Sequence, residues 1–307
     1  MRVLVLGAGG VGGYFGGRLV EKGEDVTFLV RDQRKQQLER EGLVIRSVNG
    51  DFKFHPKLIT TADSNSAGSY DLILFSTKAY HLNAAVQDLK PFVGDQTVVL
   101  PLLNGVAHFP VLKQEFGADK VIGGLCFIET TLNAEGHIVQ TSPAHFVKFG
   151  EFENKNTDRI QRIESLLSGT KASFIRSDFI ERDIWHKYLY ISTIAGVTTL
   201  MRAPVGPIRE SKGGREFIHR LFQEIEAIML EDGAPLAHDI VVKHMDTMEN
   251  STYEMKSSML RDMEKGLSIE GNHLHGYLLQ LARDYNIEAP LLQAVYQNLQ
   301  VYEIQGS

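Results

Sequence analysis

The sequence contains a single cysteine, Cys126, in 307 residues. No intrachain disulfide can form, and a cysteine-based zinc cluster is excluded. Cys126 lies in the apolar run Gly123-Gly124-Leu125-Cys126-Phe127-Ile128. It therefore reads as a buried core residue and not as a reactive thiol. A basic excess is also missing, since the formal net charge is −6. Binding to nucleic acid needs a positive surface, so no nucleic-acid partner is expected. No apolar stretch approaches the roughly 20 residues of a membrane span. The opening run Val3–Leu6 is too short for a secretory signal. The expected location is the cytoplasm, with no membrane partner. Repeats and low-complexity tracts are absent too.

What is present is ordinary globular material, 43% hydrophobic and 23% charged. At roughly 150 residues per domain, the length predicts two domains. Residues 2–6 read as a buried strand, followed by a glycine-rich turn and a helix to about Glu21. Further strands are predicted at Asp25–Val30, Tyr70–Ser76, Thr97–Leu103 and Val121–Cys126. Strands alternating with helical segments predict a parallel α/β sheet. A small hairpin is expected around Asn49-Gly50, more strands over His137–Phe149, and a last strand at Ala172–Ile175. After Ser177 no strand pattern survives. A long helix is predicted from Asp178 toward Leu200, broken by Pro204-Val205-Gly206-Pro207. Amphipathic helices are expected at Arg215–Glu231, Ala237–Met248 and Glu270–Tyr285, and Pro290 opens a final one. The expected domains are 1–177 and 178–307, the second all-helical.

Gly7-Ala8-Gly9-Gly10-Val11-Gly12 fits G-x-G-x-x-G between a strand and a helix. In that setting Gly7 permits the turn, Gly9 leaves room for a pyrophosphate, and Gly12 allows close helix–sheet packing. Gly10 and Val11 open the helix whose amides face the phosphates. This context predicts dinucleotide binding. The second strand lacks the terminal acid that would bind a ribose hydroxyl and ends in Arg31 instead. A guanidinium matches a 2′-phosphate, so NADPH/NADP is the expected cofactor. Asp32 is the counter-indication, as a carboxylate able to take a ribose hydroxyl. Arg34 and Lys35 read either as added positive charge or as solvated helix residues.

Ligands of open α/β sheets bind at the carboxyl ends of strands. Ser76-Thr77-Lys78 and Asn104-Gly105 stand at two such ends. The alternatives are a solvated loop lysine and a turn asparagine. Lys187 shares a predicted helix face with Ile191, Ile194 and Ala195. A lysine on an apolar face is costly unless its ammonium reaches an anion or water. Desolvation would lower its pKa, as suits a general acid. The alternative is a snorkelling lysine at a domain boundary. Its neighbour His186 reads as structural. Glu270 opens an apolar helix, where a carboxylate either serves the site or complements the helix dipole.

Taken in order, six segments resemble the 2-dehydropantoate 2-reductase (ketopantoate reductase) family. They are Gly7–Gly12, Arg31, Ser76-Thr77-Lys78-Ala79, Leu103-Asn104-Gly105, Trp185-His186-Lys187, and Ser258-Met259-Leu260-Arg261-Asp262 followed by Glu270. The resemblance implies a Rossmann domain joined to a helical domain, with the site in the cleft between them. It implies that Lys187 is the general acid and that Glu270 orients the substrate. It further implies that Asn104 holds the substrate and also lines the cofactor site. Ser258 would meet the substrate carboxylate, and Lys78 would lie near the nicotinamide ribose. The expected reaction is NADPH-dependent reduction of 2-dehydropantoate to pantoate, toward pantothenate and coenzyme A.

The family usually carries asparagines four and eight residues after the lysine. Here those positions are Ile191 and Ala195, and His275 replaces an asparagine before Gly276. Each lost contact costs about 1–3 kcal/mol if its partner is left unpaired. Ser192 and Thr198 are the nearby polar candidates to compensate. Two further readings follow, a reductase of a more apolar 2-oxo acid and a dinucleotide-binding sensor without turnover. Lys187 with Glu270 argues against the sensor, which needs neither. A homodimer is a possible assembly.

Overall fold

The computed structural model describes residues 1–306. The chain forms two compact units. The first comprises Met1–Leu103 and His108–Ile180, and the second comprises Asn104–Ala107 and the chain from Glu181 onward.

The first unit begins β1 (Arg2–Leu6), α1 (Gly10–Lys22), β2 (Asp25–Leu29), α2 (Asp32–Glu41), β3 (Leu43–Ser47), β4 (Phe52–Phe54), β5 (Lys57–Ile59) and α3 (Ser64–Ala67). It continues β6 (Leu72–Phe75), α4 (Leu82–Leu89), β7 (Val98–Pro101), α5 (His108–Phe116), β8 (Gly123–Leu132), β9 (Ile138–Gly150), α6 (Asp158–Leu167) and β10 (Ser173–Arg176). Strands β5-β2-β1-β6-β7 form one sheet, every pair parallel. Leu72–Phe75 and Val98–Pro101 are buried throughout, as strands covered on both faces must be.

A second sheet runs β10-β9-β3-β4, with β8 antiparallel to β9. Here the structure departs from the expectation drawn from sequence. The segment from Val121 keeps only one bridge to the parallel sheet, at Val99, before β8 joins the second sheet. An apolar run carries no record of which sheet it pairs with.

Helix α1 packs against both sheets, which explains its glycines. A Cβ at Gly16 would stand 2.7 Å from Val5 and 2.8 Å from Phe28. On the other side, a Cβ at Gly17 would stand 2.6 Å from Ile45. The core around it includes Val3, Val5, Phe15, Leu19, Phe28, Ile45, Ile138 and Phe149. Each buried side chain of this size contributes about 1.5–3 kcal/mol. Cys126 is buried and directs its thiol at the Leu102 carbonyl, 3.6 Å away.

The second unit is helical among the described residues. Its helices are α7 (Ile180–Met201, of which Ile180 belongs to the first unit), α8 (Val205–Glu210), α9 (Gly214–Glu231), α10 (Ile240–Glu249) and α11 (Ser258–Glu264). A π-helical turn, Asn272–Gly276, then leads into α12 (Tyr277–Asp284), and α13 (Pro290–Gly306) follows. Helix α9 packs against α8, α10, α12 and α13, and buries Ile218, Leu221, Phe222, Ile225, Ile228 and Met229. The sequence predicts a regular helix over Glu270–Tyr285, whereas its first part is the wider π-turn. Periodicity over five residues does not separate the two.

Candidate active site

Within the first unit, the chain leaves β1 through Gly7 at φ +93°, a conformation that glycine adopts without strain. The Gly7 amide donates to the Leu29 carbonyl at 3.1 Å. The turn is thus fixed beside the end of β2, where Arg31 follows. A Cβ at Gly12 would collide with Ser76 Oγ and the Gly7 carbonyl, so the helix sits tightly on the strand ends. At Gly9 a Cβ would meet nothing within 4 Å. Gly9 caps α1 and has no side chain to bond the first-turn amides. Gly10 and Val11 begin the helix there. Open amides at a helix N-terminus under an unfilled glycine cradle fit a pyrophosphate. A dinucleotide therefore fits these residues. Thr130 of β8 stands against Gly10, 2.7 Å from where its Cβ would be, a neighbour no local motif announces.

Arg31 is exposed and caps α2, with Asp32 in the helix's first turn. Arg34 has a different task. Its guanidinium donates to the Ala8 carbonyl at 3.1 Å and the Gly136 carbonyl at 3.0 Å, strapping the glycine loop to the β8–β9 turn. Lys35 lies 3.6 Å from Asp63. Lys78 is exposed after β6, whose last residue pairs in register with Leu6, just before Gly7. The structure thus places the glycine loop, Arg31 and Lys78 beyond the carboxyl ends of the adjacent strands β1, β2 and β6.

Within the second unit, Lys187 on α7 is only 8% exposed. Its ammonium donates to Asn104 Oδ1 at 2.9 Å. A lysine can only donate, so it orients the Asn104 amide and leaves Nδ2 to donate elsewhere. The Asn104 carbonyl accepts from His273 Nε2 at 2.9 Å. Burial lowers the His273 pKa, opposed by the Glu270 charge and by this bond. Glu270 stands two residues before the π-turn, and its carbonyl accepts from the Leu274 amide at 3.0 Å. Lys187 is therefore paired with Asn104, Asn104 is bonded to His273 of the π-turn, and Glu270 lies close enough for its charge to act on His273. His273 was not singled out from the sequence. A histidine two residues before another in an apolar helix carries no distinguishing signal.

Ser258 is exposed in the first turn of α11. Its neighbour Ser257 is the N-cap, accepting from the Leu260 amide at 3.1 Å and bonding Thr198 Oγ1 at 2.8 Å. The Thr198 hydroxyl also donates to the Ile194 carbonyl and is fully engaged. Ser192 is fully buried and its Oγ has no hydrogen-bond partner among the described residues. Beside Lys187, one and two turns on, the same helix face presents Ile191 and the buried Ala195. His275 is fully buried and donates from Nε2 to the Ser192 carbonyl at 2.8 Å. His186 accepts from the Ala237 amide at 3.0 Å, and its carbonyl accepts from His244 at 2.8 Å, an arrangement that packs α7 on α10.

A parallel sheet with an open glycine cradle, joined in one chain to a helical unit holding a buried lysine–asparagine pair, defines a dinucleotide-binding oxidoreductase. Residues 3–154 match the family description Ketopantoate reductase PanE/ApbA, and residues 179–303 match its C-terminal counterpart. The chain belongs to the ketopantoate reductase family. It is 46% identical over 303 residues to the uncharacterized oxidoreductase YkpB of Bacillus subtilis, covering 99% of each chain. The 2-dehydropantoate 2-reductase of Geobacter metallireducens superposes with a TM-score of 0.88 at 26% identity, over 98% of this chain and 99% of that one. A D-mandelate dehydrogenase with NADH and anilino(oxo)acetate shares the fold, with a TM-score of 0.90 at 18% identity, over 100% and 99%.

Proposed function

We propose that the protein reduces a 2-oxo acid to the 2-hydroxy acid with NADPH, and that 2-dehydropantoate is its substrate, yielding pantoate for pantothenate and coenzyme A. The observation that carries this reading is the buried Lys187–Asn104 pair. Binding a dinucleotide does not call for it, whereas a ketone reduction does. Gly7, Gly9, Gly10, Val11 and Gly12 would hold the pyrophosphate, Arg31 the 2′-phosphate, and Lys78 and Asn104 the nicotinamide end. When bound, the reduced nicotinamide supplies the hydride that adds to the ketone carbon.

Negative charge then grows on the ketone oxygen. The Lys187 ammonium stabilises it and delivers the proton that completes the hydroxyl. Lys187 becomes a neutral amine and recovers its proton from solvent. Asn104 orients that ammonium through Oδ1 and offers Nδ2 to the substrate. Glu270 accepts from the substrate hydroxyl, and Ser258 meets the carboxylate. One preorganised donor of this kind is worth about 3–4 kcal/mol to the transition state.

The apolar face of Ile191 and Ala195 favours a second reading, in which the substrate is a 2-oxo acid with a more apolar side chain. The fold accommodates such chemistry in the D-mandelate dehydrogenase, whose structure holds anilino(oxo)acetate. NADPH consumption with 2-dehydropantoate and with phenylglyoxylate separates the two. Turnover of the first alone supports 2-dehydropantoate, and turnover of the second alone supports the apolar substrate. Tight NADPH binding without turnover of any 2-oxo acid would overturn both and leave a sensor.

A further inference from the structure

We propose that His273 is a positioning residue for the reduction, holding the Asn104 backbone so that Asn104 and Lys187 stay paired. This rests on the reductase reading above. Four contacts, all within the second unit, close a ring. Lys187 donates to Asn104 Oδ1 at 2.9 Å. The Asn104 carbonyl accepts from His273 Nε2 at 2.9 Å. The next two residues of the π-turn tie back to α7 at positions one and five residues after the lysine. Tyr188 donates its hydroxyl to the Leu274 carbonyl at 2.5 Å, and His275 donates to the Ser192 carbonyl at 2.8 Å.

Residues two apart on a helical turn point to opposite sides. His275 thus engages α7 while His273 engages the Asn104–Ala107 segment. A carbonyl only accepts, so Nε2 of His273 must carry its hydrogen. Burial lowers the pKa of the ring, opposed by the Glu270 charge and by the bond to the Asn104 carbonyl. The segment is shaped to this contact. Gly105 turns at φ +78°, and a Cβ there would stand 3.0 Å from Leu274 and 3.6 Å from His273 Nε2. Fixing the carbonyl of Asn104 fixes its Cα, and with it the origin of the side chain that orients the ammonium. A misplacement of about 1 Å at such a group costs about 100-fold in rate.

The test compares His273→Phe and His273→Gln with the wild type, using NADPH and either 2-dehydropantoate or phenylglyoxylate. Phe fills the space but donates nothing, whereas Gln retains an N–H for the carbonyl. His273→Phe should lower kcat about 10–100-fold, with the KM for NADPH and the Tm nearly unchanged, and His273→Gln should restore most of the rate. A merely structural role would lower Tm and leave the kcat of the folded fraction intact. Wild-type kcat in His273→Phe, or no recovery in folded His273→Gln, overturns the proposal alone. If His273→Phe does not fold, His273→Ala with added imidazole decides: recovery of kcat supports the role and no recovery overturns it. A wild type that turns over no 2-oxo acid overturns the reductase reading and this proposal with it.

Discussion

Lowering the pH from 7 to 5 should weaken the second unit, with His275 responsible for a defined part of the loss. His275 is fully buried, and burial pushes its pKa down to about 4 against the opposing bond to the Ser192 carbonyl. In an unfolded chain an imidazole titrates near 6.5. Between these values the unfolded chain binds a proton that the folded unit refuses, so stability rises with pH. The contribution is fully present above about pH 6.5 and is lost as the pH falls toward about 4. The whole gap corresponds to about 3 kcal/mol, of which about 2 kcal/mol falls between pH 7 and 5. His244, also lowered to about 4, adds in the same direction, as do His186 and His273. Trp185 is the only tryptophan and belongs to this unit. Its fluorescence during urea unfolding therefore reports the second unit. His275→Gln keeps an N–H for the Ser192 carbonyl and has nothing to titrate. Between pH 7 and 5 its urea midpoint should fall about 1 M less than that of the wild type, taking an m-value of about 2 kcal/mol/M. Equal shifts in the two proteins would refute the argument.

Two glycines of the cradle should respond oppositely. Gly9→Ala meets no atom within 4 Å and has an ordinary negative φ, so Tm should hold while NADPH affinity falls, as read by fluorescence titration. Gly12→Ala meets Ser76 and the Gly7 carbonyl and should lose about 1–3 kcal/mol of stability, read by thermal unfolding. Lys187→Ala should lower kcat about 100–10,000-fold with little change in NADPH affinity, and a near-normal kcat would remove it from the chemistry. Arg31→Ala should weaken NADPH more than NADH, and an equal loss would dismiss the 2′-phosphate role.

The class of fold was legible in the residues because its signals are local. Gly7 through Gly12 between a strand and a helix, and the disappearance of strand patterning after Ser177, each need only a few neighbouring residues to read. Lys187 stood out for the same reason, as a charge on an apolar helical face. Distances between segments were not legible. Nothing local says that β8 leaves the parallel sheet to pair with β9, because an apolar strand suits either neighbour. Nothing near Arg34 says that its guanidinium straps Ala8 to Gly136. The choice of Ser257 over Ser258 as the cap depends on where α11 begins and on Thr198 across the unit. The sequence by itself determined which residue types the chemistry can use, since that follows from composition and short-range period. Only the tertiary structure decided that the Asn104 segment packs with the helical unit and that His273 meets it. Those contacts join residues 83 and 169 positions apart, and packing alone brings such residues within hydrogen-bonding distance.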